Sequence, residues 1–156
     1  MEKNKYTSPL STRYASDEMQ YLFSEDFKFK TWRKLWISLA KAEQALGLSI
    51  SDEQIAALEA YQDNINYEVA EARERQVRHD VMSHIYAYGE QCPEARPIIH
   101  LGATSCYVGD NTDVIILKNA AELVLKKCAQ VLRNLSAFSL QYKDMPCLGY
   151  THLQPA

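Results

Sequence analysis

The sequence lacks the cysteine spacing that disulfide-stabilised and zinc-binding domains share. It contains four cysteines, and no two of them form a CxxC pair: Cys92, Cys106, Cys128 and Cys147. Because Cys128 lies in the apolar stripe of a predicted helix, we expect reduced thiols that act as small apolar side chains. His79 and His84 are five positions apart, a poor spacing for joint metal ligation from one helix. The sequence therefore predicts no disulfide framework and no metal site.

Long apolar runs and an excess of basic residues are also missing. The longest apolar runs have four residues, as in Val114–Leu117, whereas a membrane-spanning helix needs about 20. The polar start, Met1–Lys5, lacks the apolar region of a signal peptide. A net charge of −3 provides no general basic field for nucleic acid or an anionic membrane. We therefore expect a cytoplasmic protein that binds neither a membrane nor nucleic acid.

The sequence does contain helical start and stop signals. Ser24 is predicted to cap a helix that ends at Gly47, and Ser51 with Gln54 forms a capping box before a shorter helix. A third helix is predicted over about 66–90, where glutamates and arginines recur at i,i+4 spacing. The segment before the first of these helices, over residues 1–16, lacks periodicity and is predicted to be extended and partly ordered.

The longest predicted helix covers residues 106–142, about 55 Å at 1.5 Å per residue. From Val114 to Phe138, apolar residues recur at alternating steps of three and four, which is typical of a helix in a bundle. Additional apolar positions widen this stripe, so the helix is expected to contact more than one partner. A chain of 156 residues has little else to flank it. We therefore expect an N-terminal fragment of a larger protein, or a chain that needs further copies of itself. An ordinary complete domain is the alternative.

The fold class predicted from these signals is all-α. We expect an N-terminal helical domain over residues 1–104, followed over 105–156 by the truncated start of a central helix bundle. No strand longer than 98–101 is predicted.

Three consecutive residues on the third predicted helix are candidates for ligand binding. Arg78, His79 and Asp80 combine a fixed cation, a group that titrates near neutrality and a carboxylate. This combination suits a phosphorylated or carboxylated ligand that bears hydroxyls. The alternative is a solvated charged face, and for His79 a core histidine satisfied by a neighbour. His84 and His100 are predicted to be structural.

Further candidates flank the long helix. Thr104 and Ser105 offer hydroxyls next to the unpaired amides of a helix N-terminus, which favour an anion; a plain capping role for Ser105 is the alternative. His152 lies between Thr151 and Gln154 after the helix end. An imidazole there can donate or accept a proton at physiological pH, although any loop histidine can do so.

Four segments together resemble a known enzyme family in their order and spacing. They are residues 7–16 (TSPLSTRYAS), 78–84 (RHDVMSH), 101–105 (LGATS) and 151–156 (THLQPA). Together they resemble the animal-type adenylosuccinate lyases of the fumarase/aspartase superfamily. The last two segments and the His-Asp pair are shared more widely in the superfamily. The residues around Arg13–Tyr14 and Arg78–Asp80 are specific to the adenylosuccinate lyases.

The resemblance implies a lyase of purine nucleotide synthesis with the fumarase/aspartase-like all-α fold. Such enzymes release fumarate by β-elimination, from adenylosuccinate to give AMP and from the succinyl-carboxamide ribotide intermediate. They use no metal and no organic cofactor. They are homotetramers whose central helix bundle assembles active sites from three subunits.

The resemblance also implies roles for individual residues. His152 corresponds to the general acid, and Arg13 and Tyr14 correspond to nucleotide-binding residues. The other matching positions line the substrate site or hold the succinyl group: Arg78, His79, Asp80, Thr104 and Ser105. The family's base is a serine in a Ser-Ser-x-Met-Pro-x-Lys-x-Asn-Pro motif, which this sequence does not contain. The chain by itself is therefore expected to be inactive.

Two other hypotheses stay open at the level of sequence. The first is another lyase of the same superfamily, such as one that acts on argininosuccinate. The second is a helical oligomerisation module without catalytic activity.

Overall fold

The computed structural model describes residues 6–156 and confirms the all-α fold. The elements, in chain order, are a π-helical turn Leu10–Tyr14, α1 Asp17–Leu22, α2 Glu25–Ala45, α3 Asp52–Ala60, α4 Tyr67–Val77, α5 Asp80–Gln91, a 3₁₀ helix Pro93–Ile98, α6 Ser105–Tyr142, β1 Tyr150–Thr151 and β2 Gln154–Pro155. The chain forms two compact units, one that ends at Asn119 and one over Ala120–Ala156. The domain boundary expected at residues 104/105 stays a prediction.

Side-chain caps start the helices of the first unit where the sequence predicts them. The Ser24 hydroxyl accepts the Phe27 amide at 3.2 Å, and the Ser51 hydroxyl accepts the Gln54 amide at 3.2 Å. The Gln54 side chain accepts the Ser51 amide in return, which completes the capping box. Each cap satisfies amides that the helix itself leaves unpaired.

The core of the first unit is built on two tryptophans of α2. Trp32 and Trp36 are each 1% exposed, and their rings are 6.1 Å apart in an edge-on arrangement. Apolar side chains from α3, α5, the 3₁₀ helix and the start of α6 complete the cluster. The largest contributors are Ile55, Leu58, Val81, Tyr88, Ile98 and Val108.

In its described part, the N-terminal segment differs from the extended conformation predicted over residues 1–16; residues 1–5 lie outside the described residues. Leu10–Tyr14 forms a π-helical turn, closed by a hydrogen bond of 2.7 Å from the Ala15 amide to the Leu10 carbonyl. Pro9 already has helical torsion angles, φ −64° and ψ −21°. The Ser8 carbonyl accepts both the amide and the hydroxyl of Thr12 at 3.2 Å. These local hydrogen bonds form a helical turn in a segment that has no apolar stripe.

The prediction of a single helix over 66–90 is wrong, because the structure divides this segment into two helices, α4 and α5. Arg78 ends α4 with φ 55° and ψ 39°, in the left-handed region. The following residue, His79, is extended and caps α5. The break lets α5 pack back against α4. Ala70 of α4 is buried, and Tyr88 of α5 is buried in the core, where it contacts Trp36. Tertiary packing therefore overrides a continuous helical periodicity.

The long helix α6 agrees with its predicted bounds to within one residue. Its first turns bury Val108 and Thr112. From Val124 onward its large apolar side chains are exposed, with fractions between 50% and 69% for Val124, Leu125, Val131, Leu132, Leu135 and Phe138. Among residues 6–156, no helix has the length and apolar character needed to cross a membrane.

We predict that His84 makes the protein less stable below neutral pH. Its ring is buried and stacks on Phe29 at 3.7 Å, and burial together with the Arg33 charge lowers its pKa to about 4. Since the unfolded chain protonates this histidine near pH 6.5, stability falls as the pH drops from about 6.5 towards 4. By linkage this loss is about 2 kcal/mol at pH 4.5.

Urea unfolding at pH 7 and pH 4.5 measures this loss for the protein and for His84→Gln. The variant should lose about 2 kcal/mol less between the two pH values. Equal losses in both proteins would show that another group carries the pH dependence.

Candidate functional site

The break between α4 and α5 gives the three consecutive candidates different surroundings. Arg78 lines a cavity of about 660 Å³ with glutamates of α4. His79 lines a cavity of about 470 Å³ formed by residues of α4, α5 and the 3₁₀ helix. Asp80 lines a third cavity, of about 210 Å³, together with Ser105. The structure therefore brings Asp80 and Ser105 together, but within this unit it does not gather all three residues around one cavity.

His79 is a capping residue with one free ring nitrogen. Its Nδ1 accepts the Met82 amide at 3.4 Å, which is the bond that caps α5. The same Nδ1 lies 3.8 Å from an Asp80 carboxylate oxygen. The Nε2–H group is left to donate to a ligand.

The cavity shared by Asp80 and Ser105 has an excess of negative charge. It is formed by the N-terminal turns of α6, the start of α5 and one face of α2. Its charged lining residues are Lys28, Asp80, Asp110 and Asp113. Because three carboxylates face one ammonium group, a dicarboxylate ligand would need cations from outside this cavity.

Lys28 is a residue of this site that the sequence analysis missed. Its ammonium group lies 3.9 Å from the Asp80 carboxylate and 4.9 Å from the centre of the Trp32 ring. It therefore links α2 to the first turn of α5. No local pattern marks this lysine as a site residue, because its ionic partner, Asp80, is distant in sequence.

The loop before α6 is held by His100. Its ring accepts the indole N–H of Trp36 at 3.1 Å, which confirms its structural role. The backbone at His100 and Gly102 is left-handed, with φ 65° and 66°. Thr104 is exposed and precedes the first helical residue, Ser105, and its carbonyl accepts the Tyr107 amide at 2.9 Å. Thr104 therefore occupies the capping position considered for Ser105.

Arg13 and Tyr14 lie in the π-helical turn and contact each other. The Arg13 guanidinium carbon is 5.7 Å from the Tyr14 ring centre, and Tyr14 is 71% exposed. Within residues 6–156, no hydrogen bond, ion pair or ring contact joins this pair to residues 78–80 or 104–105. The two groups of candidates are separate within this unit.

His152 lies at the tip of a tight hairpin in the second unit. Tyr150 pairs with Pro155 and Thr151 with Gln154, which leaves His152 and Leu153 as the two turn residues. Both have positive φ, 51° and 65°, a conformation that hairpins usually assign to Asn and Gly. The imidazole is exposed, and the backbone that carries it is part of a short hydrogen-bonded hairpin.

Comparison with known proteins identifies the family. A family profile described as Lyase matches residues 11–156. The chain belongs to this lyase family. Among its relatives are adenylosuccinate lyases of Schizosaccharomyces pombe, 51% identical over 97% of the chain, and of Saccharomyces cerevisiae, 49% identical over 98%. The Schistosoma mansoni adenylosuccinate lyase is 46% identical over 99% of the chain. The resemblance inferred from the four segments is confirmed.

The chain spans about a third of the length of these relatives, 32% of each. A crystal structure of 3-carboxy-cis,cis-muconate lactonizing enzyme from Pseudomonas putida superimposes with a TM-score of 0.79 and 25% identity. That match covers 94% of this lyase-family chain and 35% of the other protein.

We predict that the left-handed backbone at Arg78 is strained. A non-glycine residue in this region costs about 1–2 kcal/mol, and alanine substitution keeps that strain while glycine removes it. Arg78→Gly should therefore unfold at a higher urea concentration than Arg78→Ala. The expected difference in unfolding free energy is about 1 kcal/mol. Equal stability of the two variants, or a more stable alanine variant, would show that this backbone is unstrained.

Proposed function

We propose that the protein to which this chain contributes is an adenylosuccinate lyase. It would release fumarate from adenylosuccinate to give AMP, and from the succinyl-carboxamide ribotide intermediate of purine synthesis. The observation that carries this proposal is the 46–51% identity to three proteins named adenylosuccinate lyase over almost the whole chain. The proposed activity requires a longer protein, other copies of the chain, or both.

The reaction needs two proton transfers on opposite sides of one bond. A base removes a proton from the succinyl carbon beside a carboxylate. The electron pair of the broken C–H bond then forms the double bond of fumarate. The C–N bond breaks, and an acid protonates the departing nitrogen. We assign the acid to His152, because its imidazole is exposed at the tip of the hairpin and a two-residue turn limits its movement.

The remaining candidates are assigned to substrate binding. Arg13 and Tyr14 would contact the nucleotide, and Arg78, His79 and Asp80 would line the substrate site. Thr104 and Ser105 would hold the succinyl group through their hydroxyls and the first amides of α6. The excess of carboxylates near Asp80 and Ser105 favours a site completed by cations from elsewhere in the assembly.

The exposed apolar residues of α6 support a homotetramer with shared active sites. The apolar stripe of α6 is exposed from Val124 to Phe138, and a helix with so wide a stripe is stable in water when neighbouring helices cover it. Helices of other subunits in a central bundle would cover this stripe. They would also bring the separate groups of candidates together.

We predict that His152→Gln in the complete protein lowers kcat by about 10²–10⁴-fold, the usual contribution of a general acid. The matched control is Leu153→Ala, which changes the other turn residue, whose side chain is 97% exposed. Release of fumarate from adenylosuccinate, followed by absorbance, measures both variants. The control should retain kcat within about threefold, because its side chain provides no proton.

The same assay distinguishes the alternatives. An unchanged kcat in His152→Gln would remove the acid role. Turnover of argininosuccinate instead of adenylosuccinate would assign the protein to a different lyase of the superfamily. Absence of turnover with either substrate in the complete protein would favour a non-catalytic helical module.

We also predict that residues 1–156 alone release no fumarate. The sequence contains no Ser-Ser-x-Met-Pro-x-Lys-x-Asn-Pro motif, so the proposed base must come from outside these residues. The purified chain is assayed beside the complete protein at equal molar concentration. A turnover comparable to that of the complete protein would show that the missing base is unnecessary.

A further inference from the structure

Two arginines from different elements lie against one tyrosine ring. The guanidinium carbon of Arg73, on α4, is 4.9 Å from the centre of the Tyr86 ring on α5. That of Arg96, in the 3₁₀ helix, is 5.4 Å from the same centre. None of these three residues belongs to the proposed substrate-binding set, whereas His79, which lines the same cavity, does.

The position of Arg96 depends on a glycine inside α5. A Cβ atom added at Gly89 would lie 2.8 Å from the Arg96 Cγ and 3.3 Å from its Cβ and Cδ. The aliphatic stem of Arg96 therefore occupies the space that any other residue at position 89 would fill. Glycine is unfavourable in a helix interior, but at position 89 it leaves the space in which the Arg96 stem packs. This close packing holds the guanidinium group against Tyr86.

The two cations are only partly neutralised by their neighbours. Arg73 donates to the Gln76 side-chain oxygen at 3.2 Å, which is neutral, and Arg96 donates to Glu90 at 3.3 Å. Each guanidinium group retains N–H donors that these bonds do not use.

A cavity of about 470 Å³ opens beside these groups. Arg73, Tyr86 and Arg96 line one part of it, and Val77, Met82 and Ile85 form an apolar wall. His79 also lines the cavity, and its Nδ1 is occupied by the capping bond, so the ring can offer Nε2–H. The volume lies within the range of small-molecule sites, about 300–1,000 Å³.

We infer that this cavity, the Arg73–Arg96 pocket, binds a phosphate monoester that carries an apolar or aromatic group. Both arginines line this one cavity, and a phosphate dianion can receive paired hydrogen bonds from each guanidinium group. The apolar part of the ligand would lie on the wall formed by Val77, Met82 and Ile85. Glu90 competes with the phosphate for Arg96 and lowers the affinity.

Isothermal titration calorimetry of the complete protein with phenyl phosphate tests this inference. Arg73→Gln and Arg96→Gln should each weaken binding about tenfold or more, because each removes charge-assisted hydrogen bonds. Gly89→Ala should weaken binding without changing any charge, since it displaces Arg96. Glu90→Gln should tighten binding about threefold, because it frees Arg96 from its carboxylate partner.

Arg75→Gln is the matched control, because it removes a charge from the same helix outside this cavity; its affinity should equal that of the unchanged protein. Arg73→Lys and Arg96→Lys keep the charge and serve if a glutamine variant fails to fold. They too should bind more weakly, since lysine lacks the paired donors. Absence of measurable binding, or affinities unchanged in the Arg73 and Arg96 variants, would overturn the inference. Equal affinity for benzoate would overturn the phosphate assignment.

Discussion

The first unit depends on one buried cation. Arg33 of α2 is 1% exposed, and its guanidinium group donates to the carbonyls of Tyr61 and Asn64 and, at 2.7 Å, to the Gln91 side chain. It also lies 4.1 Å from the centre of the Tyr88 ring. Burial lowers the pKa of Arg33, and an unpaired charge at this depth would be strongly destabilising. These bonds therefore hold α2, the end of α3 and the end of α5 in one arrangement.

That arrangement determines where the candidate residues lie. With α5 anchored near its C-terminus by Arg33 and Tyr88, its N-terminus meets α2 at Lys28, 3.9 Å from Asp80. The first turns of α6 then approach the same point and add Ser105 to the cavity. The left-handed residue Arg78 lets the chain enter α5 in this direction. A left-handed backbone at Arg78 and an excess of carboxylates around Asp80 thus occur at neighbouring residues of the proposed substrate-binding set.

Local sequence signals predicted a large part of the helical structure. The caps at Ser24 and Ser51 and the bounds of α6 depend on residues within one turn of each helix end, so they can be read without knowledge of the fold. The proposed site residues, in contrast, were identified by motif resemblance, and their roles stay predictions. Lys28, Tyr86 and Gly89 had no signal, because their significance comes from partners on other elements.

The sequence by itself determined the all-α class, the positions of most helix ends and the lyase family, because periodicity, caps and motifs are local properties of the chain. Only the tertiary structure decided that α4 and α5 are separate helices, and that Asp80 and Ser105 share a cavity while Arg78 and His79 line others. It also decided that two arginines meet on one tyrosine ring. The physical reason is that a helix break or a cluster of charges is stabilised by contacts between residues far apart in sequence, which no local pattern records.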